Sequence, residues 1–307
     1  MSNCAMSLKS RLLSRLFEKY SSSEDEYPSH TLKAKCRNCE SFDIERIDRG
    51  GRLSYFLAYR AYGIILEPEA TMTVDTVICR NCNFYSTYRP FLEEELHFLY
   101  ADYRQESYNK DREVFEPGYT STWAKRFKDL NEKNRRTSQL SQYIEGKIVN
   151  PLKIKKVLDW GGADGSHIPR IFTSAKKYVY EVSNEKPVQQ VTKICDGSKL
   201  GKYDYIQLGQ VLEHLIWPRK ELTLVLSHLK KGGYLYLDVP LEVPNKNLYE
   251  AVKNKEILLD VHEHINKFTS YSLTRLAESL NLFIIDVTVE KWKTGDGGNI
   301  RGLFRRK

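Results

Sequence analysis

The stretch 157–165 places an acidic side chain and three glycines directly after a short apolar run. It reads Val-Leu-Asp-Trp-Gly-Gly-Ala-Asp-Gly and so contains Asp159, Gly161, Gly162 and Gly165. Glycine lets backbone amides approach a ligand closely, and a helix predicted over 166–172 would direct its N-terminus at the same place. The spacing Asp-x-Gly-x-x-x-Gly differs from the Gly-x-Gly-x-x-Gly of dinucleotide sites. We therefore expect a ligand-binding turn; a strand-to-helix turn without a ligand is the alternative interpretation.

Three further residues fall near the ends of predicted strands downstream of this turn. Glu181 lies near the end of a strand predicted over 177–182, about 20 residues beyond the turn, where a βαβ unit directs a carboxylate to ribose hydroxyls. Asp196 is suited to accept a hydrogen bond from an adenine amino group. Gly209 ends a strand predicted over 203–209. Together they predict a ligand that carries an adenosine group.

Four of the six cysteines form two Cys-x-x-Cys pairs, Cys36 with Cys39 and Cys79 with Cys82. Each pair can aim two thiolates at one point, and two such pairs are a ligand set for tetrahedral Zn²⁺. Two disulfides are one alternative, but they fit poorly with a chain that shows no secretion signal. A redox Cys-x-x-Cys is the other, but it normally occurs singly. We expect a structural zinc ion, because no open ligand position is evident.

Three histidines, His214, His262 and His264, follow predicted strands of the C-terminal half. Open α/β sheets bind ligands at the carboxyl ends of their strands. An imidazole with a pKa near 6.5 is the natural general base at neutral pH. Helix capping or a hydrogen bond in the core is the alternative role for each. We expect the pair His262 and His264 to include a catalytic or substrate-positioning group.

The elements that must position these residues divide the chain into four segments. The segments are an amphipathic helix with a linker at 1–30, a zinc-binding module at 31–90, a helical connection at 91–150 and an α/β domain at 151–307. The zinc-binding module needs strands between its cysteine pairs, predicted at 53–57 and 71–78. The α/β domain alternates strands with helices and ends in a predicted antiparallel hairpin after a helix at 270–280.

Composition limits the classes of partner. The chain has 307 residues, a net charge of +8 and 41% hydrophobic residues, which allow a sizeable core. No apolar run is long enough to span a membrane and no signal peptide is recognisable, so we expect a cytoplasmic protein. The positive charge favours an anionic partner, although the lysines are scattered along the sequence and a merely basic, soluble surface is the alternative.

Two segments have two interpretations each. The helix predicted over 5–20 carries leucines on one face and basic residues on the others, so it could rest on the inner face of the cytoplasmic membrane. Packing on the protein itself or on a partner subunit is the favoured alternative. Tyrosines interleaved with basic residues over 91–123 could stack on sugars or nucleobases, or could pack the connection internally.

Taken in order, these residues resemble the class I S-adenosylmethionine-dependent methyltransferases. The 157–165 stretch is similar to their Asp-x-Gly-x-x-x-Gly motif, although Ala163 stands where many relatives carry glycine. The resemblance covers residues 150–307 and implies a Rossmann-like sheet with a terminal antiparallel hairpin. It also implies that S-adenosylmethionine is bound by Asp159, Gly161, Gly162, Gly165, Glu181, Asp196 and Gly209.

Two segments with histidines carry a finer resemblance. Residues 210–214 are similar to a Glu-x-x-Glu-His element of ubiquinone-pathway O-methyltransferases, which is associated there with a divalent cation. Gln210 replaces the first acid, which weakens the case for Mg²⁺. Residues 262–268 resemble a His-Glu-His-Ile-Asn-x-Phe segment of relatives in polysaccharide gene clusters.

The layout as a whole resembles bacterial sugar and surface-polysaccharide methyltransferases. Residues 208–211 read Leu-Gly-Gln-Val, where methylases of amino groups usually carry Asn/Asp-Pro-Pro-Tyr/Phe. The resemblance implies O-methylation of a sugar or glycan acceptor, anionic in view of the net charge, in lipopolysaccharide or capsule biosynthesis. An RNA methyltransferase that grips nucleic acid with the zinc-binding module and a basic surface is the alternative, and a non-catalytic scaffold is a third.

Overall fold

The computed structural model describes residues 35–65, 71–89, 91–100, 102–103, 105–125, 129–183, 185–243, 248–292 and 297–307. The chain divides into two compact units. The first unit comprises Met1–Thr120 and Pro244–Lys267, and the second comprises Ser121–Val243 and Phe268–Lys307. The helix predicted over 5–20 lies outside the described residues. Among the described helices, none combines the length and the apolar character that crossing a membrane requires.

The described residues form twelve strands and seven α-helices. The strands are β1 Ile44–Leu53, β2 Thr73–Cys79, β3 Tyr85–Thr87, β4 Lys156–Trp160, β5 Lys176–Tyr180, β6 Val191–Ile194, β7 Tyr203–Gly209, β8 Leu229–Pro240, β9 Leu259–Val261, β10 Asn266–Lys267, β11 Leu282–Lys291 and β12 Gly298–Arg306. The α-helices are α1 Tyr55–Tyr62, α2 Glu93–Tyr100, α3 Glu106–Phe115, α4 Leu130–Ile144, α5 Pro218–His228, α6 Leu248–Lys253 and α7 Ser270–Ser279.

The first unit is built on a five-stranded sheet with the order β10-β3-β2-β1-β9. β1, β2 and β3 form an antiparallel meander, and β2 alternates half-buried side chains with the buried Val74, Thr76 and Ile78. β9 adds parallel to β1, and β10 adds antiparallel to β3. Both edges of this sheet are therefore completed by residues far along the chain.

The strand predicted at 53–57 is wrong, because helix α1 begins at Tyr55. Ser54 caps the helix by accepting a hydrogen bond on Oγ from the Leu57 amide at 3.1 Å, and Gly63 ends it with φ of 72°. The buried residues Phe56, Leu57, Ala58, Ala61 and Tyr62 follow helical spacing, which a five-residue window cannot distinguish from a strand. The strand predicted at 71–78 is confirmed as β2.

The second unit is built on a seven-stranded sheet with the order β11-β12-β8-β7-β4-β5-β6. β4 to β8 are parallel, whereas β12 is antiparallel to both β8 and β11. The predicted Rossmann-like class I methyltransferase sheet and its terminal antiparallel hairpin are thus confirmed. Its core packs Val157, Phe172, Tyr205, Tyr236 and Leu303 together.

Two predictions for helices of the second unit have different outcomes. The helix predicted over 166–172 is wrong: the segment forms consecutive turns, in which the Ile168 amide bonds to Gly165 O and the Phe172 amide to Pro169 O. Pro169 cannot donate a backbone hydrogen bond, which weakens a helix there. The helix predicted over 270–280 is confirmed as α7, which begins with a capping box between Thr269 and Ser272.

The two units divide the chain differently from the predicted segments. Residues 244–267, predicted within the α/β domain, belong to the first unit, as do residues 91–120. Residues 121–150 belong to the second unit, where α4 packs Leu140 and Ile144 into the core. Strands as short as β9 and β10 leave no periodic pattern in a sequence, so the excursion into the first unit was not detectable.

Candidate active site

The Gly-rich turn after β4 needs its glycines for separate geometric reasons. Gly161 has φ of +70° and its amide bonds to Tyr180 O at 2.8 Å; Gly165 has φ of +72°. A Cβ added at Gly162 would lie 2.1 Å from the carboxylate carbon of Asp159, and one at Gly165 would lie 2.8 Å from a Val191 methyl. A larger residue at any of the three would distort the turn.

Ala163 adopts the left-handed conformation, with φ of 52°. A non-glycine residue in this region is strained by about 1 kcal/mol. The Ala163 amide donates a hydrogen bond to Glu181 Oε2 at 3.1 Å. Alanine therefore stands in place of glycine at a small cost in strain. The Ala163 amide links the turn to Glu181.

Glu181 is fixed by backbone donors on both oxygens. Ser183 N donates to Oε1 at 2.8 Å and Ala163 N to Oε2, while the Glu181 amide bonds to Ile194 O. The carboxylate follows β5 directly, at the carboxyl edge of the parallel strands. Each carboxylate oxygen can accept a second hydrogen bond, so the group suits a pair of hydroxyl donors.

Asp159 is buried behind the turn. Burial raises the pKa of its carboxyl to about 7, and the nearby charges of Asp164 and Glu181 act in the same direction, against a hydrogen bond from Gln207. Among the described residues, Oδ2 has no hydrogen-bond partner. The side chain is 1% exposed. Asp159 therefore supports the turn from inside the protein. The cofactor-binding role predicted from the sequence would be indirect, through the backbone of the turn.

Asp196 lies two residues after β6 and Gly209 ends β7, so both lie at the carboxyl edge of the parallel strands. Asp196 is exposed and caps a short 3-10 turn by accepting from the Ser198 amide at 3.0 Å and the Ser198 hydroxyl at 2.7 Å. The Ser198 hydroxyl is the largest cause of the lowered pKa of the Asp196 carboxyl. Gly209 is exposed, and a Cβ there would meet no atom. An ionised carboxylate and open space fit an adenosine-bearing ligand, since the adenine amino group donates.

Sequence reasoning missed two contacts that brace this edge. Lys133 of α4 forms an ion pair with Asp164 of the Gly-rich turn, Nζ to Oδ2 at 2.6 Å. Trp160 donates from Nε1 to Glu221 Oε1 at 3.0 Å and packs on Tyr180, with ring centroids 4.7 Å apart. Both contacts join residues far apart in sequence. The only local signal was the acid at 164 within the turn.

The three candidate histidines belong to different units. His214 ends a 3-10 turn of the second unit, with Nε2 3.8 Å from Glu213 Oε1. His262 and His264 belong to the first unit, between β9 and β10, with ring centroids 4.5 Å apart. The His264 amide donates to His262 Nδ1 at 3.3 Å. This bond leaves the proton of a neutral His262 ring on Nε2.

An ion pair and a hydrogen bond hold the segment between these histidines in place within the first unit. Arg112 of α3 pairs with Glu263 Oε1 at 3.2 Å and with Glu116 Oε2 at 2.6 Å. The Tyr100 hydroxyl lies 3.1 Å from Glu263 O, to which it donates. Arg112 is itself only 8% exposed. The 262–264 segment is thus anchored at its middle residue.

The tyrosine-rich region is used largely for internal packing. Tyr108 is fully buried and packs edge-on against Phe56, with ring centroids 5.2 Å apart. The Arg112 guanidinium lies over the Phe56 ring at 4.4 Å and over the Tyr119 ring at 4.6 Å. Tyr119 is 6% exposed. At these positions, the side chains therefore pack the connection internally and do not form a surface for stacking on sugars or nucleobases.

The four cysteines of the Cys-x-x-Cys pairs meet in the first unit as free thiols. Cys36 Sγ lies 3.8 Å from Cys82 Sγ, Cys39 Sγ lies 3.7 Å from Cys79 Sγ, and all four sulfurs lie within 4.8 Å of one another. The tetrahedral edge for a zinc–sulfur bond of about 2.3 Å is about 3.8 Å, which these distances match. The group can hold a zinc ion.

Amide donors reach two sulfurs of this cluster, Cys36 Sγ and Cys39 Sγ. The Asn38 amide nitrogen lies 3.4 Å from Cys36 Sγ, and the Asn81 side-chain amide donates to Cys39 Sγ at 3.4 Å. Hydrogen bonding from the Cys36 thiol is the largest cause of the lowered pKa of Cys39. The asparagines at the second x of Cys36-Arg-Asn-Cys39 and Cys79-Arg-Asn-Cys82 thus supply donors to the cluster.

The chain is similar to several solved structures of methyltransferases. N-methyltransferase NodS from Bradyrhizobium japonicum WM9 with S-adenosylhomocysteine is 15% identical, covering 58% of this chain and 89% of its own, at a TM-score of 0.40. The 1,6-didemethyltoxoflavin-N1-methyltransferase of Burkholderia thailandensis is 13% identical, covering 73% and 95%, at 0.46. Magnesium protoporphyrin IX methyltransferase from Synechocystis PCC 6803 is 14% identical, covering 63% and 99%, at 0.44.

The sequence comparisons identify the family. No curated protein matches the chain. A family model described as "Methyltransferase domain" matches residues 118–287, which is more than half of the chain. Those residues include the Gly-rich turn, Glu181 and the edge formed by β4 to β8. The chain therefore belongs to the methyltransferase domain family, as an S-adenosylmethionine-dependent methyltransferase.

Proposed function

We propose that this enzyme transfers the methyl group of S-adenosylmethionine to a hydroxyl of a sugar, in the biosynthesis of a cell-surface polysaccharide. The observation that carries the proposal is the segment 262–264, where two imidazoles flank a glutamate held by the buried Arg112. Its resemblance to methyltransferases of polysaccharide gene clusters supports a sugar acceptor. Methyl transfer to a hydroxyl needs a base, and an imidazole is suited to that role.

Residues of the second unit would hold the cofactor. S-adenosylmethionine supplies an electrophilic methyl group on a sulfonium, which an acceptor oxygen displaces in line. Glu181 has its carboxylate fixed by two backbone amides and would orient ribose hydroxyls. Asp196 would accept from the adenine amino group, and Gly209 would leave room for the ligand. The strained turn at 161–165 would let the backbone approach the ligand closely.

The two histidines of the first unit would have different roles toward the acceptor: His262 would position it, and His264 would be the base. His262 has Nδ1 engaged by the His264 amide, so its Nε2–H would donate to and position a sugar hydroxyl. His264 would accept the proton that the reacting hydroxyl loses. His214 of the second unit is the further candidate, and its neighbour Gln210, in place of an acid, weakens a Mg²⁺-assisted route.

The assignment of the base can be tested by substitution. We expect His264→Ala to lower turnover by roughly 100-fold while the affinity for S-adenosylhomocysteine, measured by calorimetry, is unchanged. His97→Ala is the matched control, because His97 is an exposed histidine of the same unit on α2. An unchanged rate for His264→Ala would show that the base lies elsewhere. A tritium-transfer screen over nucleotide sugars, cell-envelope fractions and RNA identifies the acceptor.

We also propose that the four cysteines bind a structural zinc ion. A site closed by four thiolates would contribute folding free energy to the first unit and perform no chemistry. Replacing Cys39 by Ser should remove the bound zinc and lower the unfolding temperature, with the affinity of the second unit for S-adenosylhomocysteine retained. Cys195→Ser is the control, since Cys195 is an exposed cysteine of the second unit. If the full-length protein is as stable without zinc as with it, the structural role is contradicted.

An RNA methyltransferase is the second candidate, and the net charge of +8 favours it. The buried Tyr108 and Tyr119 argue against the tyrosine-rich region as a platform for stacking bases. Binding to RNA should weaken steeply as salt rises, whereas a small sugar substrate should respond mildly. A filter-binding titration with transfer RNA at two salt concentrations separates the two candidates.

A further inference from the structure

The second unit gathers, at one edge of its sheet, cations that are scattered in the sequence. We call this the amino edge: the end at which β4, β5, β7 and β8 begin and the antiparallel β12 ends. The cations at or next to these strand ends are Lys153, Lys155, Lys156, Lys176, Lys177, Lys202, Lys230, Lys231, Arg305, Arg306 and Lys307. They come from five strands that are neighbours in the sheet.

Strand register fixes the spacing of this row. Lys156 of β4 lies opposite Lys176 of β5, and Arg305 of β12 lies opposite Tyr234 of β8. Strands lie about 4.8 Å apart, so the row from β5 to β12 is about 20 Å long. Such a length presents many positive charges to one extended partner at the same time.

Few carboxylates neutralise the row. Among the described residues, Lys230 is the one cation of this set with an ion pair, to Asp204 Oδ1 at 2.7 Å. Others hydrogen-bond to backbone carbonyls, as Lys155 does to Leu152 O at 3.0 Å and Arg306 to Leu226 O at 2.6 Å. A carbonyl orients a cation without cancelling its charge.

Exposed apolar side chains stand among these cations. Val149 is 90% exposed and Leu152 is 62% exposed, in the segment that leads into β4. Phe283 is 56% exposed, lies opposite Arg305 in the register of β11 and β12, and has the Lys307 ammonium 4.9 Å from its ring centroid. Lysines beside exposed aliphatic and phenylalanine side chains are typical of surfaces that rest on lipid headgroups. Nine of the eleven cations are lysines, whereas nucleic-acid surfaces favour arginine.

We propose that the amino edge binds the surface of an anionic membrane, with its lysines at the lipid phosphates and Leu152 and Phe283 among the headgroups. The Gly-rich turn lies at the opposite, carboxyl end of β4, so the ligand edge of the second unit would stay accessible. The inference does not depend on the acceptor, and it explains the net charge of +8 without a nucleic acid.

The test is co-sedimentation of the full chain with vesicles of phosphatidylglycerol and phosphatidylcholine. The lysine variant is Lys153→Gln with Lys176→Gln and Lys231→Gln, three exposed residues of the edge. Each lysine near an anionic surface contributes roughly fivefold to partitioning, so this variant should bind about 100-fold more weakly. The pair Leu152→Gln with Phe283→Gln should weaken binding by about tenfold.

A matched control carries the same change in net charge away from the edge. The control variant replaces three exposed lysines with glutamine: Lys125→Gln, Lys186→Gln and Lys220→Gln. Lys125 precedes α4, Lys186 follows β5, and Lys220 lies in the first turn of α5. This variant should bind vesicles like the unaltered protein. An unchanged affinity of every variant for S-adenosylhomocysteine shows that the second unit is folded.

Three results would overturn the proposal. The first is equal binding to phosphatidylglycerol-containing vesicles and to vesicles of phosphatidylcholine alone. The second is an equal loss of vesicle binding in the control variant. The third is a loss of duplex-RNA binding in the lysine variant with vesicle binding unaltered, which would assign the edge to nucleic acid.

Discussion

At the scale of single residues, Asp159 shows how burial changes an acid. Burial raises the pKa of its carboxyl to about 7 from the ordinary 3.8, and a Cβ at Gly162 would collide with its carboxylate. The native protein therefore keeps this proton over a pH range in which the unfolded chain has lost it. Native protein binds more protons in that range, so the free energy of unfolding falls as pH rises from about 4 to about 7.

This linkage predicts the behaviour of Asp159→Asn. The variant has no carboxyl to titrate at this position. From about pH 4 to about pH 7, its unfolding free energy should therefore rise relative to that of the unaltered protein, by up to about 4 kcal/mol. Urea unfolding of both proteins at several pH values measures it. Asp196→Asn is the control, because the pKa of this exposed carboxyl is lowered and its slope has the opposite sign. A pH-independent difference for Asp159→Asn would contradict the raised pKa.

The residues of the turn were predictable from sequence, and their individual roles were not. Glycines at 161, 162 and 165 stand out because their spacing is local. That Asp159 lies behind the turn, and that Lys133 holds Asp164, depends on which atoms meet after folding. Likewise, the strained φ of Ala163 could be suspected only from the resemblance, since alanine itself carries no mark of a left-handed conformation.

At the scale of elements, the anchoring of the 262–264 segment depends on α3. Arg112 is buried and has two carboxylate partners, Glu263 and Glu116. Removing the arginine would take the same cationic partner from two half-buried carboxylates at once, which is destabilising. Replacing one carboxylate by its amide is milder, because Arg112 keeps the other partner.

Glu263→Gln therefore tests whether anchoring the segment matters for turnover. We expect kcat to fall by about tenfold with the affinity for S-adenosylhomocysteine unchanged, because the imidazoles on either side of Glu263 lose their fixed orientation. Glu116→Gln is the matched control: it removes the other carboxylate of Arg112 and changes a residue outside the segment. Equal loss of kcat in both variants would mean that only the stability of α3 is being measured.

Elements with a clear local pattern were predicted, including the five-residue β5, whereas β9 and β10 were not. β2 and α7 follow alternation and a helical apolar stripe, and both lie where the sequence placed them. The turns at 166–172 and helix α1 contradict their predictions because five to seven residues carry too little periodicity. β9 and β10 owe their conformation to pairing with β1 and β3, which no local pattern reveals.

At the scale of the whole molecule, the chain leaves the second unit after Val243 and returns to it at Phe268. The excursion supplies β9, β10 and the segment 262–264 to the first unit, whose sheet is otherwise the meander of β1, β2 and β3. The second unit has its own core and seven strands. Its fold should therefore be separable from the excursion.

Replacing residues 244–267 by a short Gly/Ser linker tests this separation. The variant should keep its affinity for S-adenosylhomocysteine, since every residue proposed to hold the cofactor lies in the second unit. It should lose methyl transfer and become prone to aggregation, because β1 and β3 would become exposed edge strands. The double variant His262→Ala with His264→Ala is the control: it should also lose transfer but stay soluble, since both strand pairings are retained. Loss of cofactor affinity in the linker variant would show that the second unit does not fold without the excursion.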